Sequence, residues 1–183
     1  MRLMMIAGLA LILGAFARPA YSGEVAPDPC KAFPQELAHV IKRDYPGREI
    51  VTIKHLPGWR QAEYEKEGIK SCPGVAKVNF FGDGRLAYVI ALVNPSEEKV
   101  AQKANPGGFL LAYVDVAGVW KLKMLSKGWC SCEPIVAPAG EYKNFYGNKI
   151  IRSKGEVIVE DFGSAARLFA WTGNKIDSIS IKD

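Results

Sequence analysis

Gly82-Asp83-Gly84-Arg85 constrains this 183-residue chain more tightly than any other segment. Its two glycines admit the positive φ of a hairpin turn, and apolar runs flank it at Val75–Phe81 and Leu86–Val93. The second run, Leu-Ala-Tyr-Val-Ile-Ala-Leu-Val, is apolar on both faces and predicts a central strand. Phe109–Val116 and Val119–Leu125 form a second hairpin about Ala117-Gly118. In its return arm Trp120, Leu122 and Met124 alternate with Lys121 and Lys123, as a sheet with one wet face requires.

The rest of the chain is read around these hairpins. A helix is expected with Pro34 in its first turn and Pro46-Gly47 at its end. Phe33, Leu37, Val40 and Ile41 make its buried stripe, and His39 lies on the far side. Glu49–Leu56 reads as a strand with Val51, Ile53 and His55 on one face, and Gln61–Ile69 as a short surface helix. Asn94–Gly108 is polar and bounded by Pro and Gly, as a loop is. A final meander follows at Lys149–Arg152, Glu156–Phe162, Ala165–Trp171 and Lys175–Ile181. Short strands after an N-terminal helix predict an α+β fold built on a curved, mainly antiparallel sheet.

The first twenty-two residues read as an export signal. Arg2 supplies a positive n-region, and Leu3–Phe16 is an apolar run too short and too rich in Gly and Ala for a membrane span. Ala20-Tyr21-Ser22 places small residues before a cut ahead of Gly23. Residues 23–183 are then one disulfide-tied domain, periplasmic or secreted, with no stable membrane anchor. The signal carries Arg2 and Arg18, so the formal net charge of +5 falls by two on its removal. The remaining excess is spread along the chain, which argues against nucleic acid as a partner.

Cys30, Cys72, Cys130 and Cys132 all survive signal removal, and an even count in an exported chain favours disulfides. In an extended Cys130-Ser131-Cys132 the β-carbons sit nearly two strand rises apart, beyond the ~4 Å a bridge needs. Cys130 and Cys132 are therefore expected to pair with Cys30 or Cys72, tying the N-terminal region to the second half. The rival reading is a metal or redox site on Cys130/Cys132. Structural zinc prefers a wider Cys spacing, and no histidine lies near residue 130.

Pro73–Ala87 (Pro-Gly-Val-Ala-Lys-Val-Asn-Phe-Phe-Gly-Asp-Gly-Arg-Leu-Ala) resembles the hairpin of integrin-type FG-GAP and related VCBS repeats. That resemblance implies a calcium loop with Asn79 at the first ligand position and Asp83 at the fifth. Phe81 stands at the third position and Ala87 at the last. Calcium wants six to eight oxygens, so the segment reads as a tight turn and no cofactor is expected. The chain as a whole resembles small secreted bacterial proteins.

Catalytic signatures are sparse. The histidines are His39, on the exposed helix side, and His55, at a core edge. Glu160 and Asp161 are adjacent, so on a strand they point to opposite faces and cannot jointly flank a bond. Asp161 shares the face of Val157 and Val159 and is the odder of the two. The reading leans against an enzyme; its alternative is a periplasmic hydrolase using Asp161 with Glu160 or His55. The aromatic segment Glu141–Asn148 stands out more. Tyr142, Phe145 and Tyr146 sit in polar, Gly-bounded sequence close after Trp129, and rings so placed are typical of partner-binding surfaces. The leading expectation is a binding module for another envelope protein, an inhibitor or immunity-type protein, using Trp129, Tyr142, Phe145 and Tyr146.

Overall fold

The computed structural model describes residues 30, 33–69, 71–95, 106–129, 133–162 and 164–182. The expected signal segment 1–22, the expected leader through residue 29, and both Cys130 and Cys132 lie outside the described residues. Within them the chain is β-rich, with antiparallel sheets and two α-helices.

The first sheet contains six strands. They are β1 (Glu49–Ile50), β2 (Val75–Val78), β3 (Ala87–Val93), β4 (Pro106–Val114), β5 (Trp120–Met124) and β6 (Gly128–Trp129). β3 and β4 form its spine, with Ala87 opposite Tyr113 and Val89 opposite Leu111. β1 and β2 lie end to end along the other side of β3, β1 against Val93 and Leu92 and β2 against Ile90 through Ala87. The chain crosses between them at Gly74, whose carbonyl accepts from Ala91 N–H at 2.8 Å. A β-carbon on Gly74 would run into the Val51 backbone.

The central-strand expectation for residues 86–93 holds, for a definite reason. Val89, Ile90, Ala91, Leu92 and Val93 are all 1 % exposed or less. One face of the sheet is covered by helix α1 (Gln35–Asp44), whose Leu37 and Ile41 pack on Ile90, Leu92, Leu110 and Ala112. Phe33 packs at the rim of this cluster, Val40 is half-buried and His39 is exposed. The other face, carrying Ala87, Val89, Ala91, Phe109 and Leu111, packs on the second sheet.

That second sheet has the order β12-β11-β10-β7. Its strands are β7 (Ile135–Ala137), β10 (Val157–Asp161), β11 (Ala166–Trp171) and β12 (Ile176–Lys182). Ile158 and Phe169 face the first sheet. Val157, Leu168, Ala170 and Ile179 face outward, beneath a separate hairpin, β8 (Glu141–Lys143) with β9 (Ile150–Arg152), which covers them with Tyr142 and Ile151. The layers thus run helix, sheet, sheet, hairpin. The expected four-strand meander is corrected here: residues 150–152 pair with β8, and β7 takes the place beside β10.

Two further expectations are overturned. Residues 49–56 do not continue as a strand: β1 ends at Ile50, and Ile53–His55 close a 3-10 turn. The Thr52 hydroxyl and the His55 ring cap that turn reciprocally, so local side-chain bonds replace the sheet ladder. Val51 and His55 remain buried, but Ile53 is exposed. A second helix, α2 (Gly58–Glu67), follows and ends at Gly68 in the left-handed region.

The cysteine pairing differs as well. Cys30 bonds Cys72 with their α-carbons 4.7 Å apart, closing 42 residues of sequence. The bridge joins the segment that leads into α1 to the segment that leads into β2. Neither Cys130 nor Cys132 can then pair with Cys30 or Cys72. Reasoning on the Cys-x-Cys spacing alone missed how α1, laid along the sheet, brings Cys30 back to the start of β2.

Candidate functional site

The aromatic segment is a built hairpin. Glu141 pairs with Arg152 across β8–β9, with the guanidinium 3.0 Å from the carboxylate. Asn144 organises the tip: its Oδ1 accepts from Lys149 N–H at 2.8 Å, its Nδ2 donates to Asn148 Oδ1 at 2.7 Å, and its carbonyl accepts from Gly147 N–H. Gly147 takes φ +70°, which an L side chain rarely adopts. Two bonds fasten the tip to β12, from Phe145 N–H to the Ser180 carbonyl at 2.8 Å and from Lys149 Nζ to the Ser178 carbonyl at 3.0 Å.

This geometry separates the predicted rings. Tyr142 turns inward, packs on the outward face of the second sheet and donates its hydroxyl to the Pro138 carbonyl. It is an anchor. Phe145 and Tyr146 stay 53 % and 71 % exposed, and their rings meet edge to face at 5.2 Å. Trp129 is placed by its backbone, which pairs with Pro106 across β6 and β4; the expectation for its ring lies outside the described side chains. The base that holds the tip is the β12 edge, where the sequence had pointed to disulfides at residues 130 and 132.

The acidic pair resolves in the opposite sense from expectation. Glu160 is 1 % exposed and Asp161 is half-buried. The face Asp161 shares with Val157 is the outward one, whereas Glu160 points between the sheets beside Ile158. Glu160 Oε1 accepts from the Ser126 hydroxyl at 2.6 Å, and Ser126 Oγ in turn accepts from Phe109 N–H at 3.0 Å. Glu160 Oε2 has no hydrogen-bond partner among the described residues. Burial pushes its pKa up, against the opposing effects of the Ser126 bond and the Arg167 charge.

His55 belongs to a different network. Its Nδ1 accepts from Thr52 N–H at 2.9 Å, and its Nε2 stands 3.5 Å from Glu49. Among the described residues no group of three or more His, Cys, Asp and Glu side chains is arranged to hold a metal ion. In the hairpin turn, Asn79 Oδ1 accepts from Gly84 N–H at 3.1 Å and Asp83 pairs with Arg85 at 2.5 Å. The two oxygen-bearing side chains at the ligand positions of the FG-GAP pattern, Asn79 and Asp83, thus bond within their own turn. Outside the turn, Asn79 N–H donates to Glu156 at 2.6 Å and the Asn79 carbonyl accepts from Glu156 N–H, locking the first hairpin to the second sheet.

One constellation escaped the sequence reading. Phe81, Tyr113 and Trp171 gather at one end of the intersheet core, Phe81 meeting the other two rings edge to face at 5.0 and 5.3 Å. With Arg85, Lys123, Lys175 and Ile176 they line a cavity of about 470 Å³. These residues come from five separate segments. The one local trace of it was Lys123 alternating with apolar neighbours on β5.

Comparison with protein-family models, with curated proteins and with solved structures finds no match to the chain.

Proposed function

We propose that the chain is an exported binding module, periplasmic or secreted, that acts on another envelope protein as an inhibitor or immunity-type protein. The observation that carries the reading is the exposed Phe145–Tyr146 pair on a hairpin tip fastened to β12. Aromatic side chains offer large contact area, and a tip already held by its own bonds loses little further freedom on binding. The Cys30–Cys72 bridge is compatible with an oxidising compartment, and no described helix is long and apolar enough to cross a membrane. In this reading α1 is the first regular element of the mature chain and packs on a curved sheet. The likeness of residues 73–87 to an FG-GAP hairpin is kept as a structural kinship in which the turn's own bonds replace the ion.

The test is affinity capture from envelope extract with the mature protein and with a Phe145→Ser/Tyr146→Ser variant. Tyr142 stays intact, because it anchors the hairpin. The reading expects a protein retained by the parent and absent from the variant. Identical captures by the two would remove the tip as the binding surface.

A further inference from the structure

The two sheets touch along one flank, where β2 lies against β7. On the other flank β5 and β12 stand on either side of the cavity described above, since Lys123 comes from β5 and Ile176 from β12. The inward faces of both strands are open to solvent there. Lys121 and Lys123 share the face of Tyr113 and Leu111 by register yet are exposed, and so are Ser178 and Ser180 opposite Phe169 and Arg167. The sandwich therefore ends in a trough whose floor is the edge of its own core.

The chemistry of the lining is one-sided. Phe81, Tyr113, Trp171 and Ile176 supply an apolar, largely aromatic floor, and the three charged residues around it are all cations. Arg85 is committed: its guanidinium sits 4.4 Å above the Phe81 ring and pairs with Asp83. Lys175 pairs with Asp177 at 3.2 Å. Lys123 has no ion-pair partner among the described residues. The cavity's volume falls within the roughly 300–1,000 Å³ of small-molecule sites, and an apolar floor with a few converging polar groups is their usual makeup. We propose that this trough binds a small aromatic anion, a fused-ring carboxylate or sulfonate, with the rings on Phe81, Tyr113 and Trp171 and the acid group on Lys123.

Two dyes of nearly the same shape test this, 8-anilinonaphthalene-1-sulfonate and its uncharged counterpart N-phenyl-1-naphthylamine. Fluorescence titrations use the mature protein, Lys123→Glu, Lys123→Gln and the Phe145→Ser/Tyr146→Ser variant, each checked by thermal melting. The sulfonate is expected to bind saturably and to weaken about tenfold or more in Lys123→Glu, with Lys123→Gln between. The neutral dye is expected to change by less than about twofold across the lysine variants. The tip variant should bind both as the parent does. If Lys123→Glu melts early, Lys123→Gln decides. Absent sulfonate binding, equal affinity in the lysine variants, equal loss of the neutral dye, or loss of the sulfonate in the tip variant would each overturn the proposal. None of these outcomes bears on partner capture by the tip.

Discussion

Ser126 donates a hydrogen bond from its hydroxyl to the carboxylate of Glu160 across the space between the two sheets, at 2.6 Å, and so joins residues 34 positions apart. The other carboxylate oxygen is buried without a partner among the described residues. An ionised carboxylate so placed costs free energy, whereas a neutral one costs much less. Burial therefore favours the protonated form and raises the pKa. The unfolded chain releases this proton near the ordinary value of 4.5, and the native state keeps it to higher pH. Between those two points the native state binds more protons, so Glu160's contribution to stability falls as pH rises, then levels off above the native pKa. Glu160→Gln keeps an oxygen for Ser126 and removes the titration. Denaturation midpoints measured from pH 4 to pH 8 should lose that falling component in the variant. An unchanged pH profile would show that Glu160 titrates as it does unfolded.

Gly74 sits where β1 and β2 meet, and a β-carbon there would come within 2.9 Å of Val51 Cβ and closer still to the Val51 backbone. The nearest atoms are the Val51 carbonyl oxygen and amide nitrogen, so no flexible side-chain tip is there to give way. Gly74→Ala should cost on the order of 1–3 kcal/mol, as overpacking does. Gly58→Ala is the comparison: it opens α2 and has nothing within 4 Å of the added carbon. It should be neutral or stabilising by up to about 1 kcal/mol. Urea denaturation of the pair measures both, and equal effects would refute the crossing argument.

The Cys30–Cys72 bridge closes 42 residues, which in the chain-entropy account is worth about 4 kcal/mol. Cys30→Ser/Cys72→Ser should lower stability by roughly that amount. Peptide mapping without reduction should recover the 30–72 linkage and no linkage of either residue to 130 or 132. A 72–130 or 72–132 peptide in the folded protein would contradict it.

Hairpin anchoring and partner binding should separate by residue. Tyr142→Phe removes only the hydroxyl bonded to Pro138, so about 1 kcal/mol of stability should go while the tip stays in place. Phe145→Ser/Tyr146→Ser touches exposed rings and should shift stability by no more than about 0.5 kcal/mol per site. Thermal melts set beside capture experiments check the division. A tip variant that melts well below the parent would mean that the rings hold the hairpin together.

Local pattern was enough for the two glycine-turned hairpins and for the apolar stripe of Leu37 and Ile41, because each is decided within about ten residues of chain. It was not enough for Ile53–His55, where Thr52 and His55 cap a turn that alternation alone reads as strand. The partition into two sheets depends on long-range register, which adjacent residues do not encode. The same gap explains Glu160 and Asp161. Both faces of the second sheet are covered, so sharing a face with Val157 does not identify the side that meets the first sheet. The cavity was invisible for a related reason, since Phe81, Tyr113 and Trp171 come together only once both sheets are in place.

The division of labour along the chain has a cost in biogenesis. Residues 49–129 contain the whole first sheet, and residues 135–182 contain the second sheet that packs on its inner face. A nascent or truncated chain ending near residue 130 would lack Ile158 and Phe169, which pack in one cluster with Val89, Phe109 and Leu111, and the apolar surface so uncovered favours aggregation. A late stop codon should therefore be more damaging than most interior substitutions, because it removes one whole side of the intersheet core.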